Sequence, residues 1–210
     1  LDVSAAEEAM HHLDVDDEVG AVSQFRGGTT KAQDLLAAFT EERLDGYDEL
    51  RNEPALDHVS HMSPYLHFGQ ISPVEIALEV SKHPGDDAEA YLEELIVRRE
   101  LSMNFCHYNA EYDRFACLPA WAQETLLGHE SDERAVTYER RELEDAQTHD
   151  AYWNAAQREM VVRGKMHNYM RMYWGKKILE WTARPQTAFR RALYLNNKYI
   201  HLLRQLPRPS

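Results

Sequence analysis

At 210 residues the chain is long enough for one sizeable domain with a real core, and its formal net charge of −13 argues against broad, non-specific nucleic-acid binding. The two cysteines, Cys106 and Cys117, form no CxxC pattern, which argues against a disulfide framework and against zinc. No stretch resembles a signal peptide or an 18-residue apolar run, so the expectation is a soluble, cytoplasmic protein.

Residues 1–24 are acidic and weakly patterned and read as a linker or a frayed first helix. Gly27-Gly28-Thr29-Thr30 breaks the chain and offers a threonine cap. Ala32, Leu35, Leu36 and Phe39 then recur at helical spacing up to Arg43. Turn residues dominate from Leu44 to Asp57, so that stretch reads mostly as loop. Ser60 to Ser72 mixes hydroxyls, aromatics, Pro64 and Gly69 and reads as loop with a short helical turn. Ser72-Pro73-Val74-Glu75 is a capping-box pattern that starts a helix ending near His83-Pro84-Gly85. Asp86 or Asp87 is the expected cap of the next helix, which runs to about Tyr108.

After a loop from Asn109 to Leu118, Pro119 opens a short helix through Leu127. A charged connector follows, and Thr137 is the expected cap of another short helix. Asp150 caps a helix from Ala151 to Arg163 that stops at Gly164. Gly164 to Trp181, GKMHNYMRMYWGKKILEW, reads as one helix with Asn168, Arg171, Met172 and Gly175 on one face. Its Trp174 and Trp181 are two turns apart on one face. Pro185 begins a last helix to Tyr199, and residues 200–210 read as an unstructured, divergent tail. No alternating strand is found. The expected architecture is a single all-α domain over 25–199, an irregular orthogonal helical bundle.

Three features could carry chemistry. Trp153, Trp174 and Trp181 fall within two consecutive helices, and indoles either relay electrons or glue helices together. Ser60 and Ser63 flank His61 before Pro64, where hydroxyls and free backbone N–H groups suit a pyrophosphate or, more blandly, cap a turn. Glu94 lies four residues before Arg98, either as a surface i,i+4 pair or as a carboxylate facing a heterocyclic substrate. His58 and His61 lie three apart without a further Cys or His at ligand spacing, so no metal site is expected. Cations dominate from Arg158 to Arg208 despite the acidic whole, which leaves one basic face for a polyanion. There is no GxSxG, Walker or GxGxxG pattern.

Taken together, SPYLHFGQIS, ELIVRREL, THDAYWNAAQ and GKMHNYMRMYWGKKILEW resemble the photolyase/cryptochrome family, most of all the class II cyclobutane pyrimidine dimer photolyases. The match runs from Phe25 to Tyr199. It implies the C-terminal helical FAD-binding domain, with FAD as cofactor and dimer-containing DNA as partner. It implies light-driven repair by electron transfer from reduced FAD to a flipped-out dimer. The alternatives it leaves are a cryptochrome-like photosensor or a flavin-free helical remnant.

The resemblance places Tyr47, Val59, Ser60, His61, Met62, Ser63, Asn168, Arg171 and Asn196 at the cofactor, with Asn196 facing flavin N5. It places Glu94 and Met172 at the dimer, and Trp174, Trp153 and Trp181 in a photoreduction chain with Trp174 nearest the flavin. Arg51 matches a DNA-contacting arginine, and Arg98, Lys165 and Lys176 would join it on backbone phosphates. The pattern departs from the family where residues 200–210 stand in place of a segment rich in Asp, Gly and Asn. The chain therefore reads as a truncated or frame-altered product, or a fragment, in which Arg171 lacks its acidic partner. An N-terminal antenna domain is also missing from the match.

Overall fold

The computed structural model describes residues 22–200 together with Val19. Among these residues all regular structure is helical. The elements are α1 (Thr29–Glu42), α2 (Tyr47–Leu50), α3 (Ser63–His67), α4 (Pro73–Val80) and α5 (Asp86–Leu92). A π-helical stretch, Glu93–Arg98, joins α5 to α6 (Arg99–Tyr108). A 3₁₀ turn at Phe115–Cys117 precedes α7 (Ala120–Gly128), α8 (Arg140–Glu144), α9 (Ala151–Arg163), α10 (Asn168–Glu180) and α11 (Pro185–Tyr199).

Two local rules hold as expected. Ser72 accepts a hydrogen bond from the Val74 amide at 3.1 Å, with Pro73 in the first turn of α4. Asp150 accepts from the Trp153 amide at 2.9 Å and starts α9, which ends at Gly164 in the left-handed conformation, φ 65°.

Other caps differ from expectation. Thr29 lies inside α1, whose cap position is Gly28, and α8 is capped by Glu139 and not Thr137, in a reciprocal box with Glu142. Asp87 does not cap its own helix. Its carboxylate accepts from the Gly46 and Asp48 amides, each at 2.8 Å, and so closes the start of α2, forty residues upstream. Those two bonds hold the Asp87 carboxyl below the usual carboxylate range. The expected helix from Gly164 is also shorter. Its first turn is lost because Gly164 turns the chain, and α10 begins at Asn168 behind His167, whose Nδ1 accepts from the Tyr169 amide at 3.3 Å.

Apolar burial separates into two clusters. The first gathers Leu36 and Phe39 of α1, Tyr47, Met62, Tyr65, Ile76, Val80, Tyr91 and Leu95. Phe39, Tyr47 and Tyr91 meet at ring centroid distances of 4.8–5.7 Å. The second gathers Leu143, Trp153, Met160, Met166, Trp174, Ile178, Trp181, Leu195 and Tyr199. Val19 packs on the second cluster and Phe25 on the first. Ile200, expected to open an unstructured tail, is 2% exposed and belongs to the second cluster. The rest of that tail lies outside the described residues, as does most of the expected acidic linker. The inward stripe of α5 ends at Leu95, inside the π-helical stretch, and α6 has no buried residue.

Candidate functional site

The two clusters are bridged by a cavity of about 670 Å³. That volume lies in the range of small-molecule and cofactor pockets, roughly 300–1,000 Å³. One wall comes from the first half of the chain: Tyr47, Arg51, Val59 to Ser63, Tyr91, Glu94 and Arg99. The other is the α9–α10 turn and the start of α10, Lys165, His167, Asn168 and Arg171, with Ile200 beside them. The sharp turn at Gly164 puts these residues there, because it stops α9 and sends the chain back before α10 begins.

Glu94 sits in the π-helical stretch, a distortion often found at functional positions. Its expected i,i+4 partner Arg98 instead bonds Glu93 at 2.7 Å on the surface. Glu94 is held from α2: the Arg51 guanidinium pairs with it and the Tyr47 hydroxyl donates to it at 3.2 Å. Burial, followed by the neighbouring Glu94 charge, pushes the Tyr47 phenol well above its ordinary value, so Tyr47 stays a donor. Glu94 is thus presented to the cavity as an acceptor with two donors behind it.

The opposite wall is cationic. Lys165 donates to His61 Nδ1 at 2.8 Å, and His61 Nε2 donates to Asp57 at 2.9 Å. This fixes the ring as the tautomer carrying its proton on Nε2. His61 has φ 57°, a left-handed conformation rare for a residue with a Cβ, so the surrounding fold imposes its position. Burial, then the charge of Lys165, lowers the His61 pKa, and burial lowers that of Lys165. Arg171 has its pKa lowered by burial alone and makes no side-chain hydrogen bond or ion pair among the described residues. Arg171 Nε, Arg51 Nε and His167 Nε2 are buried without an acceptor. Three orphaned N–H groups on cavity residues, beside a lysine, fit an anionic, acceptor-rich ligand such as a dinucleotide.

Beyond the cavity, one turn along α10, lies the aromatic series. Trp174 is three residues past Arg171, about 4.5 Å along the axis, and is buried between α9 and α10. Trp174 and Trp181 do not touch as a pair. Trp153 of α9 lies between them, stacked on Trp174 at 6.3 Å and 6°, and edge-on to Trp181 at 5.5 Å and 68°. Trp153 Nε1 donates to the Trp174 carbonyl at 3.0 Å, and Trp174 Nε1 donates to the wholly buried Gln157 Oε1 at 2.8 Å.

Of the residues singled out from the sequence, Tyr47, Arg51, Val59, Ser60, His61, Met62, Ser63, Glu94, Lys165, Asn168 and Arg171 meet around this cavity. Asn196, Met172, Arg98 and Lys176 are not on its wall. Asn196 lies one turn before Ile200 on α11, with its amide on Asn197. Met172 is 54% exposed, because the face it shares with Asn168 turns to solvent there. Of the four cations expected on DNA, Arg51 and Lys165 are engaged inside the cavity and Arg98 on Glu93. His167, Asp57 and Gln157 were not anticipated. A histidine cap and a buried glutamine acceptor leave no pattern in a sequence, since their partners are set by packing. Among the described residues no group of three His, Cys, Asp or Glu could hold a metal ion, and no helix is long and apolar enough to cross a membrane.

No family model matches the chain. Individual relatives do. A deoxyribodipyrimidine photo-lyase of Methanothermobacter thermautotrophicus is 57% identical over 177 residues, covering 84% of this chain and 39% of the relative. One from Potorous tridactylus is 45% identical over 190 residues, covering 89% and 36%. Among solved structures, a class III photolyase from Agrobacterium tumefaciens aligns with TM-score 0.58 at 22% identity, over 82% of this chain and 39% of that one. The fold is that of the photolyase and cryptochrome helical domain. A Synechocystis cryptochrome aligns with TM-score 0.54 at 20% identity, over 89% and 42%. The chain spans about two fifths of the length of these photo-lyase relatives.

Proposed function

We propose that this chain is the flavin- and substrate-binding helical domain of a class II-type deoxyribodipyrimidine photo-lyase, which splits pyrimidine dimers in DNA under light. The observation that carries the proposal is the cavity, where Glu94, backed by Arg51 and Tyr47, shares the lining with Lys165, the unpaired Arg171 and the orphaned His167 N–H. Relatives that bear that enzyme name support it, since they match most of this chain.

Lys165, His61, Ser60 and Ser63 would hold the pyrophosphate of an FAD, and Asn168 and Arg171 would lie against its ring system. The chemistry supplied by that group when bound is a light-driven one-electron reduction of the dimer, with the electron returned after the ring opens. Glu94 accepts hydrogen bonds from the flipped-out lesion, whose disrupted stacking makes extrusion cheap. Tyr47 and Arg51 keep that carboxylate aimed. Burial of Arg171 and Lys165 strengthens their hold on negative charge. Trp174, Trp153 and Trp181 serve as an electron relay leading away from the cavity. Arg51 belongs to the positioning of Glu94 in this arrangement as much as to any contact with DNA.

The test is a visible spectrum of the purified chain with and without added FAD, followed by repair of dimer-containing oligonucleotides under blue light. Uptake of FAD and loss of dimers are the expected results. Lys165→Ala weakens uptake, and Glu94→Gln leaves uptake intact while slowing repair about tenfold, the worth of one charged hydrogen bond. A chain that stays colourless with excess FAD overturns the proposal.

A further inference from the structure

Asp57, His61 and Lys165 form a hydrogen-bonded series that runs from solvent to the cavity wall. The Asp57 side chain is 69% exposed, whereas that of His61 is 7% exposed and that of Lys165 22%. His61 Nε2 donates to Asp57, so Nδ1 keeps its lone pair and receives a Lys165 N–H at 2.8 Å. The ammonium lies 3.8 Å from Asp57 Oδ1, beyond hydrogen-bond reach, so Nδ1 is its acceptor among the described residues. The ring is fixed by its left-handed backbone, φ 57°, and by Phe25, whose ring centroid is 6.1 Å away.

We propose that His61 is a proton-linked anion ligand of this cavity, taking up a proton at Nδ1 when a pyrophosphate diester enters; the inference rests on the reading of the cavity as an FAD site and deepens it.

The charges around the ring carry the argument. Asp57 faces Nε2, Lys165 faces Nδ1, and Arg43 is the further charge acting on the ring. Burial, then Lys165, holds the imidazole neutral, while the Asp57 carboxylate favours imidazolium. Lys165 is in turn acted on by Asp57, Glu159, Arg163 and Arg43. A pyrophosphate diester brings two negative charges to Lys165 and offsets the charge that opposes protonation of His61. The proton comes from the buffer and bonds to Nδ1, and the Lys165–Nδ1 hydrogen bond breaks. Nδ1–H and the ammonium then both donate to ligand oxygens, and Nε2–H stays on Asp57. No other bond changes.

His167, also on the wall, is the rival proton acceptor. Its Nδ1 accepts the Tyr169 amide at 3.3 Å, so Nε2 already carries the hydrogen, and that N–H has no acceptor. It can donate to a ligand without gaining a proton, and protonation would break the cap of α10.

The sign of the pH dependence follows from linkage. A group whose pKa is higher with ligand than without it tightens binding as pH falls through the interval between the two values. Outside that interval affinity is flat. Both phosphates of a pyrophosphate diester stay ionised across it, so the change belongs to the protein.

The experiment is isothermal titration calorimetry of the full chain with FAD and, separately, with ADP-ribose, a pyrophosphate diester without flavin. Buffers of differing ionisation enthalpy count the protons taken up. Both ligands bind with proton uptake, and each Kd falls at least about fivefold between about pH 8 and pH 6. His61→Asn, whose side chain tolerates the left-handed backbone, binds without uptake and changes less than about twofold over that range. His167→Gln keeps both the uptake and the pH dependence. Without ligand, nuclear magnetic resonance of the His61 Cε1–H gives a pKa below that of an ordinary histidine, and Lys165→Met raises it. Uptake that persists in His61→Asn, FAD binding without uptake, or a ligand-free His61 that Lys165→Met leaves unmoved overturns the proposal. Proton-linked binding of ADP-ribose by a chain that takes up no FAD supports the role of His61 and refutes only the flavin reading. Binding of neither ligand overturns both. Circular dichroism of the variants confirms that each is folded.

Discussion

The two apolar clusters are similar in extent but differ in what is buried with them. In the first, Thr40 is the one buried polar side chain among the described residues, and its hydroxyl returns to carbonyls of its own helix at 3.0 and 3.2 Å. The second buries Asn154, Gln157, His167 and Thr182 among its tryptophans. The Trp153 indole donates to the Trp174 carbonyl and the Trp174 indole to Gln157, and Asp150 ties the start of α9 to Tyr173 of α10. A core needs no such groups to be stable, since each buried polar atom adds a desolvation cost that its partner only offsets. Their concentration in one cluster indicates that its shape is specified for a purpose beyond cohesion, whereas the first serves mainly as a support for Tyr47 and Glu94.

Large-to-small changes sharpen that contrast most. Phe39→Ala and Trp153→Ala, both at wholly buried sites, each destabilise by about 3–5 kcal/mol in urea unfolding. Trp153→Phe costs far less, yet it interrupts the proposed relay, so that reading expects light-driven radical formation at Trp181 to be lost while the fold persists. If Trp153→Phe left that signal intact, the second cluster would be only a core.

Polar deletions come next. Gln157→Leu strands the Trp174 N–H and costs about 1–3 kcal/mol, whereas Thr40→Val in the first cluster costs under about 1 kcal/mol because its helix carbonyls keep other partners. Equal costs would erase the distinction drawn here.

Glu144 provides the pH dependence. Burial alone would raise its pKa, but hydrogen bonds from Tyr199 at 2.6 Å and from Lys198 bring it below the ordinary value. A carboxyl depressed in the folded state contributes stability that is full above its unfolded pKa and is lost as pH falls through the folded one. The unfolding midpoint therefore declines as pH drops from about 6 toward 3. Glu144→Gln flattens part of that decline, by about 1–2 kcal/mol.

Asp87→Ala removes both bonds closing the start of α2 and costs about 1 kcal/mol. Its specific readout is a looser Tyr47–Glu94 pairing, seen as faster hydrogen exchange at Asp48.

Much of this was legible in the chain. Ser72-Pro73 and Asp150 begin helices because short polar side chains satisfy the free amides next to them, and Gly164 ends one because it adopts a positive φ. These are local rules. What could not be read depends on partners far away in sequence. Asp87 looks like a cap for its own helix but serves α2. Glu94 looks like a partner of Arg98 but belongs to Arg51. Trp174 and Trp181 look like a stacked pair until α9 places Trp153 between them. The composition of the cavity was readable through likeness to a family, while the tautomer of His61 and the role of Gln157 needed coordinates.

The π-helical stretch from Glu93 to Arg98 has a bearing on how this chain tolerates insertion and deletion. Holding an extra residue per turn puts everything beyond it out of phase with α5 by about 100°. Removing one residue there would shorten the protein by less than 2 Å of helix, yet it would rotate Leu101, Met103 and Phe105 to a new bearing and withdraw Glu94 from Arg51. Length change at this point is thus a change of direction, and the segment should be among the least forgiving of indels in the molecule.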